Sequence, residues 1–157
     1  ISNISFENIS FQHTSWLRPS QTGNVPHQLG LYMTAAYKLK PAGTPLNPNL
    51  DNQAWVGRPS AAISLSYINA VAFSGCSIEH TASTGIDAII GVKNLTVQSS
   101  LLKDIGGNGI LAGNYGTEGR EIHIPYTPNS EADICEHINI KNNFICSENR
   151  WKWILSI

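Results

Sequence analysis

Apolar residues recur along this chain in a short pattern, at relative positions 0, 2, 5 and 7. The pattern occurs four times, and its third position drifts to small or polar residues. The four copies are Ile4, Phe6, Ile9, Phe11; Val71, Phe73, Cys76, Ile78; Leu95, Val97, Ser100, Leu102; and Ile138, Ile140, Asn143, Ile145. Apolar residues separated by one position are typical of a strand that buries one face. The sequence therefore predicts pairs of short strands joined by turns.

The intervals between the copies predict a repeat of about two dozen residues. The step from Val71 to Leu95 is 24 residues, whereas the steps from Ile4 to Val71 and from Leu95 to Ile138 are 67 and 43. Each longer step therefore contains an insertion, and we place the insertions at about 14–59 and 114–134. Such a repeat, rich in Gly, Asn and Ser turns, indicates an all-β fold.

The predicted architecture is a right-handed parallel β-helix, a solenoid of about four coils in a single domain over 1–157. The leucine-rich repeat has a similar period, but its Leu-rich consensus is missing here. Because the pattern stops within a coil, we expect a fragment of a longer helix whose open ends can associate with each other.

The phase of the coils assigns residues to faces of the first strand of each repeat. Ile63, Ile86, Ile110 and Trp153 are predicted to point inward as one column. Their following residues, Ser64, Asp87, Leu111 and Ile154, are predicted to point to solvent. Asp87 is the one carboxylate in that outer column. Since a lone Asp is disfavoured in a strand unless it is exposed or useful, Asp87 is our first catalytic candidate.

A polar column is predicted at the ends of the later strands, formed by His13, His80, Asp104 and Ser147. Polar side chains at strand ends commonly bond backbone groups and so close turns. A turn-forming Asp is the favoured interpretation of Asp104, and a substrate contact is the alternative.

The two insertions carry side chains suited to a sugar, which has an apolar face and a rim of hydroxyl groups. Candidates for substrate binding are Trp16, Arg18, Gln28, Trp55, Arg58, His123 and Tyr126, together with Asp104. The alternative is that the aromatic residues simply pack the loops onto the scaffold.

Glycoside hydrolysis needs two carboxyl groups, about 5–5.5 Å apart for retention or about 6.5–9.5 Å apart for inversion. Leu111 and Ile154 occupy the outer positions near Asp87, so its partner must come from a loop. Glu118 and Glu121, in the second insertion, are the candidates, although an exposed Glu in a Gly-rich loop is often merely solvated.

The composition limits which classes of binding partner and cofactor the chain is expected to have. The chain has 10 Lys and Arg against 11 Asp and Glu, a net charge of −1, which does not favour a nucleic-acid partner. The sequence has no apolar run long enough for a membrane-spanning helix. Its three cysteines lack metal-like spacing, so we predict unpaired or buried thiols, no metal site and no cofactor.

Several stretches resemble bacterial glycoside hydrolase family 141 and related β-helix proteins of the pectate-lyase-like superfamily. They are "HTSWLRPS", "KLKPAGTP", "NQAWVGRPSAAI", "IEHTASTGID", "DIGGNGI" and "GREIHIPYTP", and they span nearly the whole chain. The resemblance implies a much longer glycosidase that cuts plant cell-wall fucosides or xylan with two acidic residues. It also implies an extracellular or periplasmic bacterial protein, and Asp87 in "STGID" as a family-typical position.

Two alternatives stay open at this point, a polysaccharide lyase and a non-catalytic β-helix, whereas pectin hydrolysis is disfavoured. The chain resembles polygalacturonases in its coils, but Thr84, Gly107 and Asn108 replace their defining aspartates. A polysaccharide lyase would need a cluster of calcium-binding carboxylates, which the sequence does not display. A non-catalytic glycan-binding or structural β-helix would use the aromatic loops and leave the acids to cap turns.

Overall fold

The computed structural model of the chain describes residues 1–17, 27–28, 31–33, 55–114, 120–121, 127–146 and 155–156. Contacts divide the chain into two compact units. The first consists of Ile1–Trp16, Ser60–Asn114 and Pro128–Ile157, and the second of Leu17–Pro59 and Tyr115–Thr127. The second unit takes in most of both predicted insertions, and the single domain stays a prediction.

The described residues form strands and one short 3₁₀ helix, Glu131–Asp133. In chain order the strands are β1 (Ser2–Glu7), β2 (Ser10–Thr14), β3 (His27–Gln28), β4 (Leu31–Met33), β5 (Trp55–Gly57), β6 (Ala61–Ser74), β7 (Ser77–Thr81), β8 (Thr84–Gln98), β9 (Leu101–Ile105), β10 (Ile110–Ala112), β11 (Arg120–Glu121), β12 (Asn139–Lys141), β13 (Phe144–Cys146) and β14 (Leu155–Ser156). The all-β prediction is confirmed for these residues.

Two parallel sheets make up the first unit. One has the order β1-β6-β8-β10-β14, with β12 also paired to β8, and the other has the order β13-β9-β7-β2. Every strand pair in both sheets is parallel. Each repeat therefore gives strands to both sheets before the chain moves on to the next repeat.

The registers confirm the predicted alignment of the repeats. Ile4 lies opposite Val71, and Val71 lies opposite Leu95. Near the other end of the stack, Ile140 lies opposite Val97. One register shift falls between Leu65 and Ser66, where β6 passes from its first to its second segment.

Trp153, predicted for the inward column, lies outside the described residues, and Leu155 takes the strand position that was predicted for it. Ile110 pairs with Leu155, and Leu111 pairs with Ser156 rather than with Ile154. The prediction assumed that the eight-residue step from Ile78 to Ile86 holds in every repeat. The connection that follows β13 is two residues longer, so the register moves by the same amount.

Inward side chains form a continuous apolar core in the first unit. Phe73, Ile78, Ile86, Leu95, Val97, Leu102 and Ile110 are at most 1% exposed. At the start of the stack, the rings of Phe6 and Phe73 lie parallel with centroids 4.9 Å apart, and Phe11 meets Phe73 edge-on at 6.2 Å. Each side chain thus packs on its equivalent one strand away.

Left-handed backbone residues turn the chain at equivalent corners of successive repeats. Their φ values lie between 48° and 62°. The corner columns are Asn3, Ala70, Asn94, His137; Asn8, Gly75, Ser99, Asn142; His13, His80, Asp104; and Tyr67, Gly91. This conformation costs about 1–2 kcal/mol for most residues and less for Asn, Asp and Gly. The turn positions predicted for His13, His80 and Asp104 are confirmed.

The third position of the repeated pattern is polar in the later repeats for a structural reason. The Ser100 hydroxyl accepts a hydrogen bond from the Cys76 N–H at 3.1 Å and donates to the Gln98 carbonyl at 2.8 Å. The Asn143 side chain does the same one repeat later, accepting from the Ser100 N–H at 2.9 Å. We call Cys76, Ser100 and Asn143 the polar ladder; each of its later members satisfies a backbone N–H of the repeat before it.

All three cysteines are free, as the sequence predicts. Cys76 is buried, whereas Cys135 and Cys146 are half-buried. The Cys76 thiol donates to the Phe6 carbonyl at 3.4 Å and so links two neighbouring repeats.

Residues 127–138 lie against β8 through polar contacts. Lys93 Nζ is 2.7 Å from Glu136 Oε1 and donates to the Glu131 carbonyl at 3.2 Å. The Tyr67 hydroxyl donates to Asp133 Oδ1 at 2.9 Å. The hydrogen bond and charge of Lys93 hold the pKa of Glu136 below its ordinary value.

The second unit contains an antiparallel sheet with the order β11-β5-β4-β3. Trp55 lies opposite Glu121, and Gly57 lies opposite Tyr32. Tyr32 is 4% exposed, and its ring occupies the space where a Cβ on Gly57 would lie. The sequence indicates only loops in both insertions and does not predict this sheet, because its strands are only two or three residues long and show no alternation.

The described residues include no helix long and apolar enough to cross a membrane.

Replacing Ser100 with Ala should destabilise the first unit by about 1–3 kcal/mol, because the buried Cys76 N–H then loses its acceptor. Urea unfolding followed by circular dichroism measures this loss. The matched control is Ser77→Ala, which removes only an exposed hydroxyl that bonds Ser10 at 2.8 Å. We expect a change within about 0.5 kcal/mol for the control. Equal losses in the two variants would contradict a structural role for the polar ladder.

The Lys93–Glu136 pair should give the stability a small dependence on acid pH. Because the folded pKa of Glu136 lies below its ordinary 4.5, its contribution is present above that value and is lost as pH falls through the folded pKa. In Lys93→Met this part of the pH profile of the unfolding midpoint should disappear. A profile that keeps its shape in Lys93→Met would show that the pair contributes nothing. The effect is small because Glu136 is exposed.

Candidate functional site

Asp87 is buried near the start of β8. It is 1% exposed, and its sequence neighbours Ile86 and Ala88 are 0% exposed. It lies opposite Ser64 on β6 and opposite Leu111 on β10. Among the residues that the structure describes, Asp87 is the one buried acidic or basic residue.

The predicted solvent exposure of Asp87 is wrong. Alternation along the strand does assign Asp87 to the face opposite the inward Ile86. That face is nevertheless closed to solvent at Asp87 and at the neighbouring Leu111, which is 6% exposed, although Ser64 on the other side is exposed. A period of two determines which side of a sheet a residue occupies, but not whether that side meets water.

A group of buried polar residues surrounds the start of β8. It consists of Thr81, Ser83, Thr84 and Asn108, each at most 3% exposed. The Asn108 amide nitrogen lies 3.4 Å from the Thr84 hydroxyl, and Thr81 donates to the Ser83 carbonyl at 3.1 Å. Sequence reasoning noted Thr84 and Asn108 only as replacements for aspartates. The run of small polar residues in "TASTGID" is the feature of the sequence that could have indicated this buried polar group.

Backbone segments of two neighbouring repeats lie very close together at this point. Gly106 donates to the Thr81 carbonyl at 2.6 Å, and Gly107 donates to the Ser83 carbonyl at 2.8 Å. A Cβ on Gly106 would overlap the Ala82 carbonyl, and one on Gly85 would lie 2.6 Å from the Gly109 oxygen. The glycines of "DIGGNG" therefore allow close approach of two repeats beside Asp87.

Asp104 lies in a second polar group, at an exposed corner of the other sheet. Its Oδ2 is 2.9 Å from His80 Nδ1, and the His80 ring stacks on that of His13 with centroids 5.1 Å apart. The three residues occupy the left-handed corner column, and Asp104 and His80 are 41% and 46% exposed. This arrangement fits the turn-forming interpretation of Asp104, and its substrate contact stays a prediction.

The other predicted site residues are described only in part. Trp16, in the first unit, and Arg58, in the second, are both half-buried. Arg58 belongs to the short connection that follows β5 in the chain. Trp55 and Glu121 occupy opposite positions on neighbouring strands, and Gln28 lies on β3 of the same sheet. Arg18, Glu118, His123 and Tyr126 lie outside the described residues.

The described part of the first unit thus offers one buried carboxyl group, that of Asp87, close to buried hydroxyl and amide side chains. Burying an ionised carboxylate is unfavourable unless it is paired or hydrogen-bonded. Its paired strand positions, Ser64 and Leu111, supply no second acid. No group of three or more His, Cys, Asp or Glu able to hold a metal ion occurs among the described residues.

Comparisons with known proteins give one informative similarity. No protein-family model and no curated protein matches the chain. A solved structure named "Glycoside hydrolase" is 40% identical in sequence, with a TM-score of 0.76. The alignment covers 91% of this chain and 24% of that structure's chain, so this chain spans about a quarter of its length. The chain is therefore related in sequence and structure to part of a glycoside hydrolase.

Proposed function

We propose that this chain is part of a glycoside hydrolase that acts on plant cell-wall polysaccharide or oligosaccharide, of the fucoside or xylan type. The 40% identity to a protein named glycoside hydrolase, across nearly the whole chain, carries the proposal. The sequence resemblance to family 141 supports the finer substrate class. The same resemblance supports secretion to the extracellular space or periplasm of a bacterium.

We also propose that the two parallel sheets belong to a right-handed parallel β-helix. Three features support it: the 24-residue offset between β7 and β9, the equivalent corners and the in-register columns of apolar residues. In such a scaffold, side chains on successive strands lie about 4.8 Å apart, and loops from neighbouring repeats meet at one edge. That spacing suits the two-carboxylate chemistry of glycosidases.

Asp87 is the proposed catalytic carboxylate, and Glu118 or Glu121 is its partner. In this mechanism one carboxyl group protonates the leaving glycosidic oxygen, while the other attacks the anomeric carbon or activates water. Burial supports Asp87 because a carboxylate held away from water interacts strongly with charge that develops on a bound sugar. Trp16, Arg18, Gln28, Trp55, Arg58, Asp104, His123 and Tyr126 are the proposed sugar-binding residues.

A non-catalytic glycan-binding or structural role is the second candidate. The observation that favours it is that Ser64 and Leu111 lie opposite Asp87 on the neighbouring strands. The second carboxyl group would therefore have to come from residues outside the described part of the first unit. In that case Asp87 would stabilise the fold, and the aromatic residues would hold the glycan.

Asp87→Asn separates the two candidates because it keeps the shape of the side chain and removes its charge. If Asp87 is catalytic, hydrolysis of fucosylated or xylan oligosaccharides should fall by about 100-fold or more, with oligosaccharide binding retained. Turnover and isothermal titration measure the two quantities, and thermal unfolding checks the fold. The control Asp133→Asn, which affects only the contact with Tyr67, should leave turnover within a few-fold of the parent.

Two results would contradict the catalytic proposal. One is turnover of Asp87→Asn within a few-fold of the parent protein. The other is binding of oligosaccharides without any hydrolysis by the parent protein, which would favour the binding role.

A further inference from the structure

The side-chain hydroxyl of Ser83 is buried without a hydrogen-bond partner. Ser83 is 3% exposed, and among the residues that the structure describes its Oγ is the one buried side-chain nitrogen or oxygen that makes no hydrogen bond. The carbonyl of the same residue, by contrast, accepts twice, from the Gly107 N–H at 2.8 Å and from the Thr81 hydroxyl at 3.1 Å. The backbone of Ser83 is therefore held in place while its hydroxyl stays available.

The next repeat has no side chain that could reach this hydroxyl from the equivalent position. The residue 24 positions after Ser83 is Gly107. A Cβ on Gly107 would lie only 3.2 Å from the Ser83 carbonyl carbon, so the close contact of the two repeats disfavours a larger residue. In the polar ladder, Ser100 and Asn143 satisfy the repeat before them, whereas here a polar group is left over.

An unsatisfied buried hydroxyl is unfavourable in a folded protein, because it has given up water without gaining another partner. Native structures keep few such groups, and those that are kept point to a bound molecule or a functional role. A serine hydroxyl donates one hydrogen bond and accepts two, which matches the hydroxyl groups of a sugar.

The irregular start of β8 places Thr84 on the same side of the sheet as Asp87. The consecutive N–H groups of Gly85 and Ile86 both donate to the next repeat, at 2.9 Å and 3.0 Å, whereas in a regular parallel strand only every second residue does so. A Cβ on Gly85 would lie 3.5 Å from two side chains of the core, so Gly85 faces the core as Ile86 does. Thr84 and Asp87, on either side of this pair, therefore both face away from the core.

Asn108 extends this polar side of the sheet onto the next repeat. It lies 24 residues after Thr84, and its side-chain nitrogen is 3.4 Å from the Thr84 hydroxyl. Ser83 directly precedes Thr84, so its hydroxyl belongs to a buried group of hydroxyl and amide side chains next to Asp87 in the chain. Uncharged donors and acceptors of this kind suit a neutral sugar.

We propose that Ser83 Oγ binds a hydroxyl group of the sugar on which Asp87 acts, and so helps to select the substrate. This inference rests on the proposed function, and it adds a binding residue that belongs to the repeats and not to the insertions. The bound sugar gives the Ser83 hydroxyl the partner that it lacks among the described residues. Ser83 therefore contributes to substrate affinity, whereas Asp87 contributes to the chemical step.

Thermal unfolding of Ser83→Ala tests whether the hydroxyl is unsatisfied. The unfolding midpoint should equal or exceed that of the parent protein, because the substitution removes a buried polar group without a partner. The matched control is Thr81→Val, which removes a hydroxyl that donates to the Ser83 carbonyl, and its midpoint should fall. A fall in Ser83→Ala as large as that in Thr81→Val overturns the proposal.

Isothermal titration and turnover with fucosylated and xylan oligosaccharides test the contact itself. In Ser83→Ala the Kd and the KM should rise roughly tenfold, while kcat stays within a few-fold of the parent. Ser77→Ala, which removes a hydroxyl on the other sheet, should bind as the parent does. In a series of deoxy oligosaccharides, the one that lacks the contacted hydroxyl should bind the parent and Ser83→Ala equally, because the contact is then absent from both.

Failure of this contact is distinguishable from failure of the proposed function. If the parent hydrolyses oligosaccharides and Ser83→Ala binds all of them as tightly as the parent, the contact is overturned and the hydrolase proposal stands. A lower kcat in Ser83→Ala with unchanged affinity also overturns it. If the parent binds oligosaccharides without hydrolysing them, the hydrolase proposal fails and the affinity of Ser83→Ala still decides the contact. A parent that binds none of them overturns both.

Discussion

The stacking of equivalent positions on successive parallel strands is the constraint on which the first unit depends. Its most specific expression is the polar ladder, in which Ser100 binds the Cys76 N–H and Asn143 binds the Ser100 N–H. A side chain at this position can satisfy the previous repeat only if the repeats are in exact register. The ladder thus fixes the alignment that the apolar columns would otherwise specify only by shape.

The same register also aligns the left-handed corner residues of successive repeats. Left-handed corners recur at equivalent positions, so each unfavourable backbone conformation lies beside another of the same kind. Side chains at a corner can then meet their equivalents, as in the stack of His13 on His80. At another corner Asn94 donates a hydrogen bond at 2.8 Å to Asn69, the residue before its equivalent Ala70. A corner that departed from its column would disturb the hydrogen bonds of two neighbouring strands.

Much of this arrangement could be predicted from the sequence because its repeat is regular. The 24-residue step between Val71 and Leu95 gave the alignment of strands, and the inward column of Ile86 and Ile110 followed from it. Predictions were wrong where a constant turn length or open solvent was assumed. The connection before Leu155 is two residues longer than the prediction assumes, so Leu155 lies opposite Ile110, and Asp87 is buried rather than exposed. The short antiparallel strands of the second unit had no pattern to reveal them.

Amide hydrogen exchange tests the account of the stacked register most directly, because it reports the protection of individual N–H groups. The Cys76 and Ser100 amides, whose acceptors are side chains of the next repeat, should exchange as slowly as the amides inside β7 and β9. Amides of β1, at the open edge, should exchange much faster than those of β8. Fast exchange at Cys76 and Ser100, or equal protection of β1 and β8, would contradict a stack held in register by the polar ladder.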